Sequence, residues 1–343
     1  MHAPLLVTGD TDLLDDLLRL SAAAGVVLDV AHDPGSAVRQ WATAPLVLVG
    51  PDLSASMAAQ TPPRRADVFL LARGEPDYRA AVSLGASDVI TLPAAEAWLV
   101  ERLTDVGDGG ARSALTLGFV GGSGGVGATT LACATAGLAS QSRDTALVDL
   151  DPLGAGVERI IGMDETGVGW ADLVGSRGRL GSRALRESLP YRDGLAVLGW
   201  GGRPADETDD VAVREAFAAA RRGHDLVVAD LPRVASAAAA EVLARCDAVI
   251  LVAGCSVPGA AAALRLLATF APLSGSVHLV GRETGGAVSS AALAEALGLE
   301  LIGVLDQQKS LAEHLDLGLG PLHARRGAVA QAALEVLTRM APA

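Results

Sequence analysis

The chain has 343 residues, half of them hydrophobic, with 27 basic and 40 acidic side chains and a formal net charge of −13. That length allows two domains, and the acidic balance works against nucleic acid and anionic lipid as partners unless a local basic patch overrides it. Three cysteines without a CxxC pair exclude a disulfide framework and a zinc module, as expected of a cytoplasmic protein. Apolar runs such as Ala248 to Ala253 are too short to cross a bilayer, and residues 1–9 lack the charged leader of a secretory signal.

In chain order, Leu5 to Thr8 reads as an apolar strand. A helical spacing follows over Asp12 to Ala24, with Thr11 or Asp12 as N-cap. Val26 to Val30, Leu46 to Val49, Val68 to Leu71 and Val89 to Leu92 read as further strands with helices between them. Five βα units predict a parallel sheet. Val106 to Ser113, VGDGGARS, is a glycine-rich polar seam and the expected linker. It separates a first domain over 1–105 from a second over 114–343.

Past the seam, Leu115 to Ala136 runs LTLGFVGGSGGVGATTLACATA, an apolar strand, a glycine-rich loop and an apolar helix. That context is what a phosphate-binding loop requires. Glycines at 121, 122, 124, 125 and 127 let backbone amides close around an anion. The helix starting near Ala128 aims its positive end at the same place. The pattern G-x-x-x-x-G-K-[ST] is met by Gly122, Gly127 and Thr129, but Ala128 stands in the lysine position. Lys309 is the sole lysine of the chain, so no lysine is expected to replace it.

The next strands are Thr145 to Leu150, Leu226 to Ala229, Ala248 to Ala253, Val277 to Val280 and Leu301 to Val304, with alanine-rich helices such as Ala260 to Phe270 between them. Short buried strands alternating with helices predict a second doubly wound parallel sheet. The fold class is therefore α/β throughout. Asp149 and Asp151 close one strand and Asp230 another. Thr129 can ligate Mg²⁺, Asp230 can hold the metal's water shell, and Asp149 and Asp151 can orient water or sense a γ-phosphate. Gly327 to Met340 reads as a C-terminal helix with a small-residue face at Ala328, Ala332, Ala333, Val336 and Leu337. It lacks bulky insertion groups and is expected to pack on its own domain, so membrane association is at most peripheral. Arg325, Arg326 and Arg339 read as solvated surface, and His224, His278, His314 and His323 have no metal-ligand spacing. Pro190 to Gly202, with Trp170 and Trp200, reads as an excursion around a strand.

The first domain resembles a response-regulator receiver (flavodoxin-like), most strongly at Ala80 to Pro93, AAVSLGASDVITLP. The resemblance places the phosphoacceptor at Gly50, two residues before Asp52. It places the receiver's lysine at Leu92 and its fourth-strand hydroxyl at Ala72. Asp10, with Asp12, could stand for the acidic metal pair, but such residues alone more often cap a helix, and capping is the expected role. The expectation is a pseudo-receiver that keeps the fold and loses phosphotransfer, leaving docking or dimerisation as its use.

The second domain resembles the MinD/ParA group of deviant P-loop ATPases. Within that group it resembles the CpaE/TadZ branch and, most closely, the actinobacterial septum-site-determining (Ssd) proteins. The group's loop, K-G-G-x-G-K-[ST], matches Ser123, Gly124, Gly125, Val126, Gly127, Ala128 and Thr129, followed by Thr130, so both of its lysines are replaced. The resemblance implies ATP or ADP held by Gly122 to Thr130, Mg²⁺ at Thr129 and Asp230, and catalytic roles for Asp149 and Asp151. Its base-reading asparagine would fall near Gly281 and Arg282. It implies a regulator of septum-site selection, recruited to septum or pole, with cell-division or pilus and secretion proteins as partners and a possible homodimer. The alternatives are a CpaE/TadZ-type localisation factor, a ParA-like DNA-partitioning ATPase and a scaffold that never binds nucleotide. A hydrogen bond to a charged partner contributes roughly 1.5–3 kcal/mol. Loss of the phosphate lysine should therefore weaken binding about 10- to 150-fold and impair hydrolysis more, since lysine stabilises developing charge.

Overall fold

The computed structural model describes residues 3–107, 114–163, 167–173, 180–201, 210–234, 236–270 and 275–341. Residues 108–113 of the expected linker and Gly202 lie outside them. Close contacts divide the chain into two units, Met1–Arg112 and Ser113–Ala343.

The first unit alternates strand and helix. It runs β1 (Leu5–Val7), α1 (Thr11–Ala23), β2 (Asp29–Ala31), α2 (Pro34–Trp41), β3 (Val47–Val49), α3 (Pro51–Ala59), β4 (Val68–Ala72), α4 (Tyr78–Leu84), β5 (Asp88–Thr91) and α5 (Glu96–Gly107). The strands form one parallel sheet in the order β2-β1-β3-β4-β5, the flavodoxin-like order. Each face of the sheet carries its own apolar layer, one around Trp41 and Met57, the other around Leu13, Leu17, Leu99 and Leu103.

Three details differ from the sequence reading. The N-cap of α1 is Asp10, whose side chain accepts from the amides of Asp12 and Leu13. Strand β2 begins at Asp29, three residues after the expected start, and Val27 is exposed. Gly25 adopts a left-handed conformation (φ +67°) after α1, and the Val26 amide turns back to the Ser21 carbonyl at 2.9 Å. The chain therefore completes a helix C-terminal turn before it can pair with β1. Helix α5 continues to Gly107, so Val106 and Gly107 are helical.

The second unit begins with β6 (Leu115–Gly121), α6 (Ala128–Ala139) and β7 (Thr145–Asp149). Three short helices follow, α7 (Val157–Ile161), α8 (Trp170–Leu173) and α9 (Ser182–Ser188), then β8 (Tyr191–Arg192) and β9 (Leu195–Leu198). The chain continues through α10 (Asp210–Gly223), β10 (Leu226–Asp230), α11 (Ala237–Ala244), β11 (Ala248–Gly254), α12 (Val257–Phe270), β12 (Val277–Arg282), α13 (Ser290–Leu297), β13 (Glu300–Leu305), α14 (Leu311–Asp316) and α15 (Ala328–Met340).

The eight strands form a sheet in the order β13-β12-β11-β6-β10-β7-β9-β8. All neighbours are parallel except the edge hairpin β8–β9. Asp193 and Gly194 make that hairpin's turn, both at positive φ, as a two-residue turn between antiparallel strands requires. Apolar layers cover both faces of the sheet, so the central strands read as unbroken apolar runs. Helix α15 buries Val329, Ala332, Ala333 and Val336 against α6 and β13, as expected of a helix folded on its own domain. Among the described residues no helix is long and apolar enough to cross a membrane.

Candidate nucleotide-binding site

The site is built at the carboxyl ends of three adjacent strands, β6, β10 and β7, where open α/β sheets place their ligands. The loop from Gly122 to Gly127 leaves β6 and enters α6. The Gly122 amide is taken by the Val252 carbonyl at 2.8 Å, but the amides of Ser123, Gly124, Gly125, Val126 and Gly127 find no acceptor among the described residues. Gly125 and Gly127 adopt left-handed conformations (φ +75° and +94°) that favour glycine. A Cβ on Gly125 would meet nothing within 4 Å. The first amides of α6 are unpaired within the helix and add their partial positive charge at the same mouth. A run of open amides at a helix N-terminus fits a phosphate group.

Ala128 is buried, with its methyl near the position a Cβ on Gly121 would take (3.6 Å), so the place of the usual lysine holds no charge. Thr129 follows, and its hydroxyl, near the Asp230 carboxylate, favours that group's charged form. Asp230 and Asp149 are paired in register on β10 and β7, and both are almost fully buried. Asp149 is held by its neighbours: its Oδ1 accepts from the Asp151 amide (3.0 Å) and its Oδ2 from the Val157 amide (3.2 Å). The Trp170 indole N–H donates to the Asp149 carbonyl at 2.6 Å. Asp151 is half-buried and accepts from the Leu153 amide at 3.1 Å.

Burial pushes the Asp149 carboxyl up to about 7, against the two amide hydrogen bonds that pull it down. Burial, then the Asp149 charge, raises Asp230 well above the usual carboxylate range, while the Thr129 hydroxyl opposes them. Two carboxylates so placed are short of positive charge. Among the described residues no cluster of three or more His, Cys, Asp or Glu could hold a metal ion. A Mg²⁺ would therefore rely on Thr129, on a water shell held by Asp230 and on phosphate oxygens of a nucleotide. The residues present fit that mode of binding.

These shifts predict a pH dependence. A carboxyl whose pKa is raised by folding contributes stability that is complete below its unfolded pKa and lost as pH rises through its folded pKa. For Asp230 the window opens near its ordinary 3.8 and extends upward. Asp230→Asn removes this loss and keeps the side chain's size. Its melting temperature relative to wild type should therefore climb as pH rises above that ordinary value. Paired thermal melts from acid to neutral pH check it, and a gap independent of pH would show that burial does not raise the Asp230 carboxyl.

Two places named by the sequence are closed. A Cβ on Gly281 would strike Ser290 Cβ at 2.6 Å, so no asparagine side chain could stand there. The Arg282 guanidinium donates to the Asp306 carbonyl at 3.3 Å. One cation was missed. Arg233, on the loop after β10, places its guanidinium beside the phosphate loop: a Cβ on Gly124 would lie 3.8 Å from its Nη2. A search for lysine alone passes over it, although its position three residues after Asp230 is visible in the sequence.

In the first unit, the carboxyl ends of β1 and β3 differ from the arrangement a receiver uses for phosphotransfer. A side chain at Gly50 would place its Cβ 2.3 Å from Asp52 Oδ1 and 2.8 Å from Thr8 Oγ1. Asp52 is tied down, accepting from the Thr8 hydroxyl (2.9 Å) and the Gly9 amide (2.7 Å). Asp10 is engaged as the α1 cap. Ala72 and Leu92 are buried, so neither a hydroxyl nor an ammonium faces that edge from the positions where the receiver carries them. Treatment with acetyl phosphate should leave the protein without acid-labile phosphate. Mass spectrometry showing aspartyl phosphate on Asp52 would contradict this.

Residues 7–114 match the family of Rv3660c-like, CheY-like N-terminal domains. Along nearly its full length the chain is 33% identical to the proteins Rv3660c (strain H37Rv) and MT3760 (strain CDC 1551) of Mycobacterium tuberculosis, over 337 residues covering 96% of this chain and 95% of theirs. The chain belongs to the Rv3660c-like family. The architecture of the second unit is found in several solved ATPases. A ParA family ATPase from Chlorobium tepidum has a TM-score of 0.58 at 18% identity, covering 66% of this chain and 99% of that one. The cell division protein MinD of Aquifex aeolicus has 0.54 at 18%, covering 66% and 96%. MinD of Pyrococcus horikoshii, solved as a complex with Mg-ADP, has 0.55 at 15%, covering 66% and 95%. At these identities the likeness establishes the fold: a CheY-like unit followed by a MinD/ParA-like unit.

Proposed function

We propose that the Rv3660c-like protein is a nucleotide-binding regulator, in which the second unit binds ATP or ADP with Mg²⁺ and hydrolyses ATP slowly or not at all. The observation that supports it is the loop itself. Five consecutive amides, without acceptors among the described residues, lead into the N-terminus of α6, beside a threonine–aspartate pair suited to a hydrated Mg²⁺. Gly122 to Thr130 supply the cradle, Thr129 and Asp230 the metal contacts, and Asp151 with Asp149 the water-orienting carboxylates. The backbone cradle operates without lysine, but the charge that develops during phosphoryl transfer goes largely unstabilised.

We further propose that this switch acts in septum-site selection, from the cytoplasm and by recruitment to the division site. Structural relatives include a MinD cell division protein and a MinC:MinD complex. By that analogy the partner is a division protein, and a second copy can close over the nucleotide. A localisation factor for pilus or secretion assembly is the second reading. It is favoured by the pseudo-receiver, whose phosphoacceptor edge is sealed and whose remaining use is its surface. The charge of −13 speaks against a DNA-partitioning role.

Ala128→Lys tests the assignment of the loop. Restoring the ammonium should tighten Mg-ATP binding about 10- to 150-fold and raise turnover if Thr129 and Asp230 already position the metal. Calorimetry and phosphate release on both proteins check it. Equal affinity would show that residue 128 does not face the phosphates, and vigorous wild-type hydrolysis would show that another group replaces the lysine.

A further inference from the structure

We infer that Arg233 is the cation of the phosphate site, reaching a bound nucleotide from the β10 loop in place of the lysines missing at Ser123 and Ala128. This inference rests on the nucleotide reading and identifies the charge that reading lacks. Three observations carry it.

The first is position. The segment Asp230-Leu231-Pro232-Arg233 leaves the strand that carries the buried carboxylate. Leu231 is buried and its amide donates to the Phe119 carbonyl at 2.8 Å, and Pro232 is buried beside it. The base of the Arg233 side chain is thus fixed to the same two strands, β6 and β10, that frame the loop. Its guanidinium lies over Gly124, where a Cβ would come 3.8 Å from Nη2.

The second is its lack of a partner. Acidic side chains outnumber basic ones, 40 to 27, and many other arginines are paired, Arg102 with Asp67 and Arg186 with Asp144 among them. Arg233 is exposed and has no carboxylate partner among the described residues. A free guanidinium standing beside five amides without acceptors is a donor set awaiting an anion.

The third is chemistry. The planar fork of arginine matches phosphate oxygens in pairs, and its charge persists at any working pH. The methyl of Ala128 leaves the inner charge of the loop unfilled. A cation arriving from the β10 loop would meet the outer phosphates, so its effect should be larger for ATP than for ADP.

The test is calorimetric titration of the full chain with Mg-ATP and Mg-ADP, using wild type, Arg233→Ala, Arg233→Lys, Ala128→Lys and the double variant Ala128→Lys/Arg233→Ala. Arg233→Ala should weaken ATP binding roughly 10- to 150-fold and ADP binding less, with an unchanged melting temperature in the absence of nucleotide. Arg233→Lys should fall between wild type and the alanine variant, and the double variant should regain ATP affinity. Arg233→Ala binding ATP as wild type does would overturn the assignment while leaving the nucleotide reading intact. So would silence of wild type alongside binding by Ala128→Lys. Silence of both wild type and Ala128→Lys would remove the nucleotide reading and this inference together.

Discussion

Trp170→Ala should destabilise the second unit by roughly 3–5 kcal/mol, the range for removing a large buried aromatic. The ring is almost fully buried at the start of α8 and packs toward Trp200, with centroids 6.2 Å apart. It also holds the end of β7 through its 2.6 Å hydrogen bond to the Asp149 carbonyl. The alanine variant loses dispersion contacts, leaves a cavity and frees an acceptor next to a buried carboxylate. Urea unfolding monitored by circular dichroism measures the loss. Leu153→Ala, at a side chain 93% exposed on the loop after β7, should stay within about 0.5 kcal/mol of wild type. A Trp170 effect as small as that of Leu153 would show that the β7 end is held by other contacts.

Gly127→Val should abolish nucleotide binding. Gly127 sits at φ +94°, a conformation that a β-branched residue adopts only with strain of about 1–3 kcal/mol. Its Cβ would also come 3.3 Å from Leu305 Cδ2, so the new side chain must push against β13 as well. Relaxing to negative φ would rotate the peptide planes on either side and turn their amides away from the phosphate position. Titration calorimetry should show no saturable heat for the variant, with the apolar layers of the unit still folded by circular dichroism. Binding at wild-type affinity would place the nucleotide, if bound, elsewhere.

Much of this architecture is legible in the sequence because its central strands are buried on both faces. Leu226 to Ala229 and Ala248 to Ala253 can be nothing but interior strands flanked by turns, and they are. Legibility falls where pairing is decided by a distant partner. Strand β2 starts at Asp29 because its register with Leu5 sets the start, whereas Val26 and Val27 are apolar but unpaired. The short helices α7 to α9 carry too few turns to show a period.

The candidate site divides in the same way. Its loop is a contiguous motif and reads directly. The opposition of Asp149 and Asp230 depends on β7 and β10 becoming neighbours, which only the sheet order reveals. Arg233 escaped notice because nothing local marks one arginine among many. Its meaning comes from the bare Gly124 it faces. Asp52 shows the converse. Its sequence position near the receiver's acceptor site invites a catalytic reading, yet its two oxygens are already taken by Thr8 and Gly9.

The loop from Gly122 to Thr130, although it has no lysine, is expected to hold the phosphates of a nucleotide. Titration of the wild-type chain with ATP, in the presence and absence of Mg²⁺, decides it. Binding should be saturable, weak by the standard of lysine-bearing loops and tighter with Mg²⁺. No heat and no thermal shift at millimolar nucleotide, with or without the metal, would contradict it and leave the fold as a scaffold.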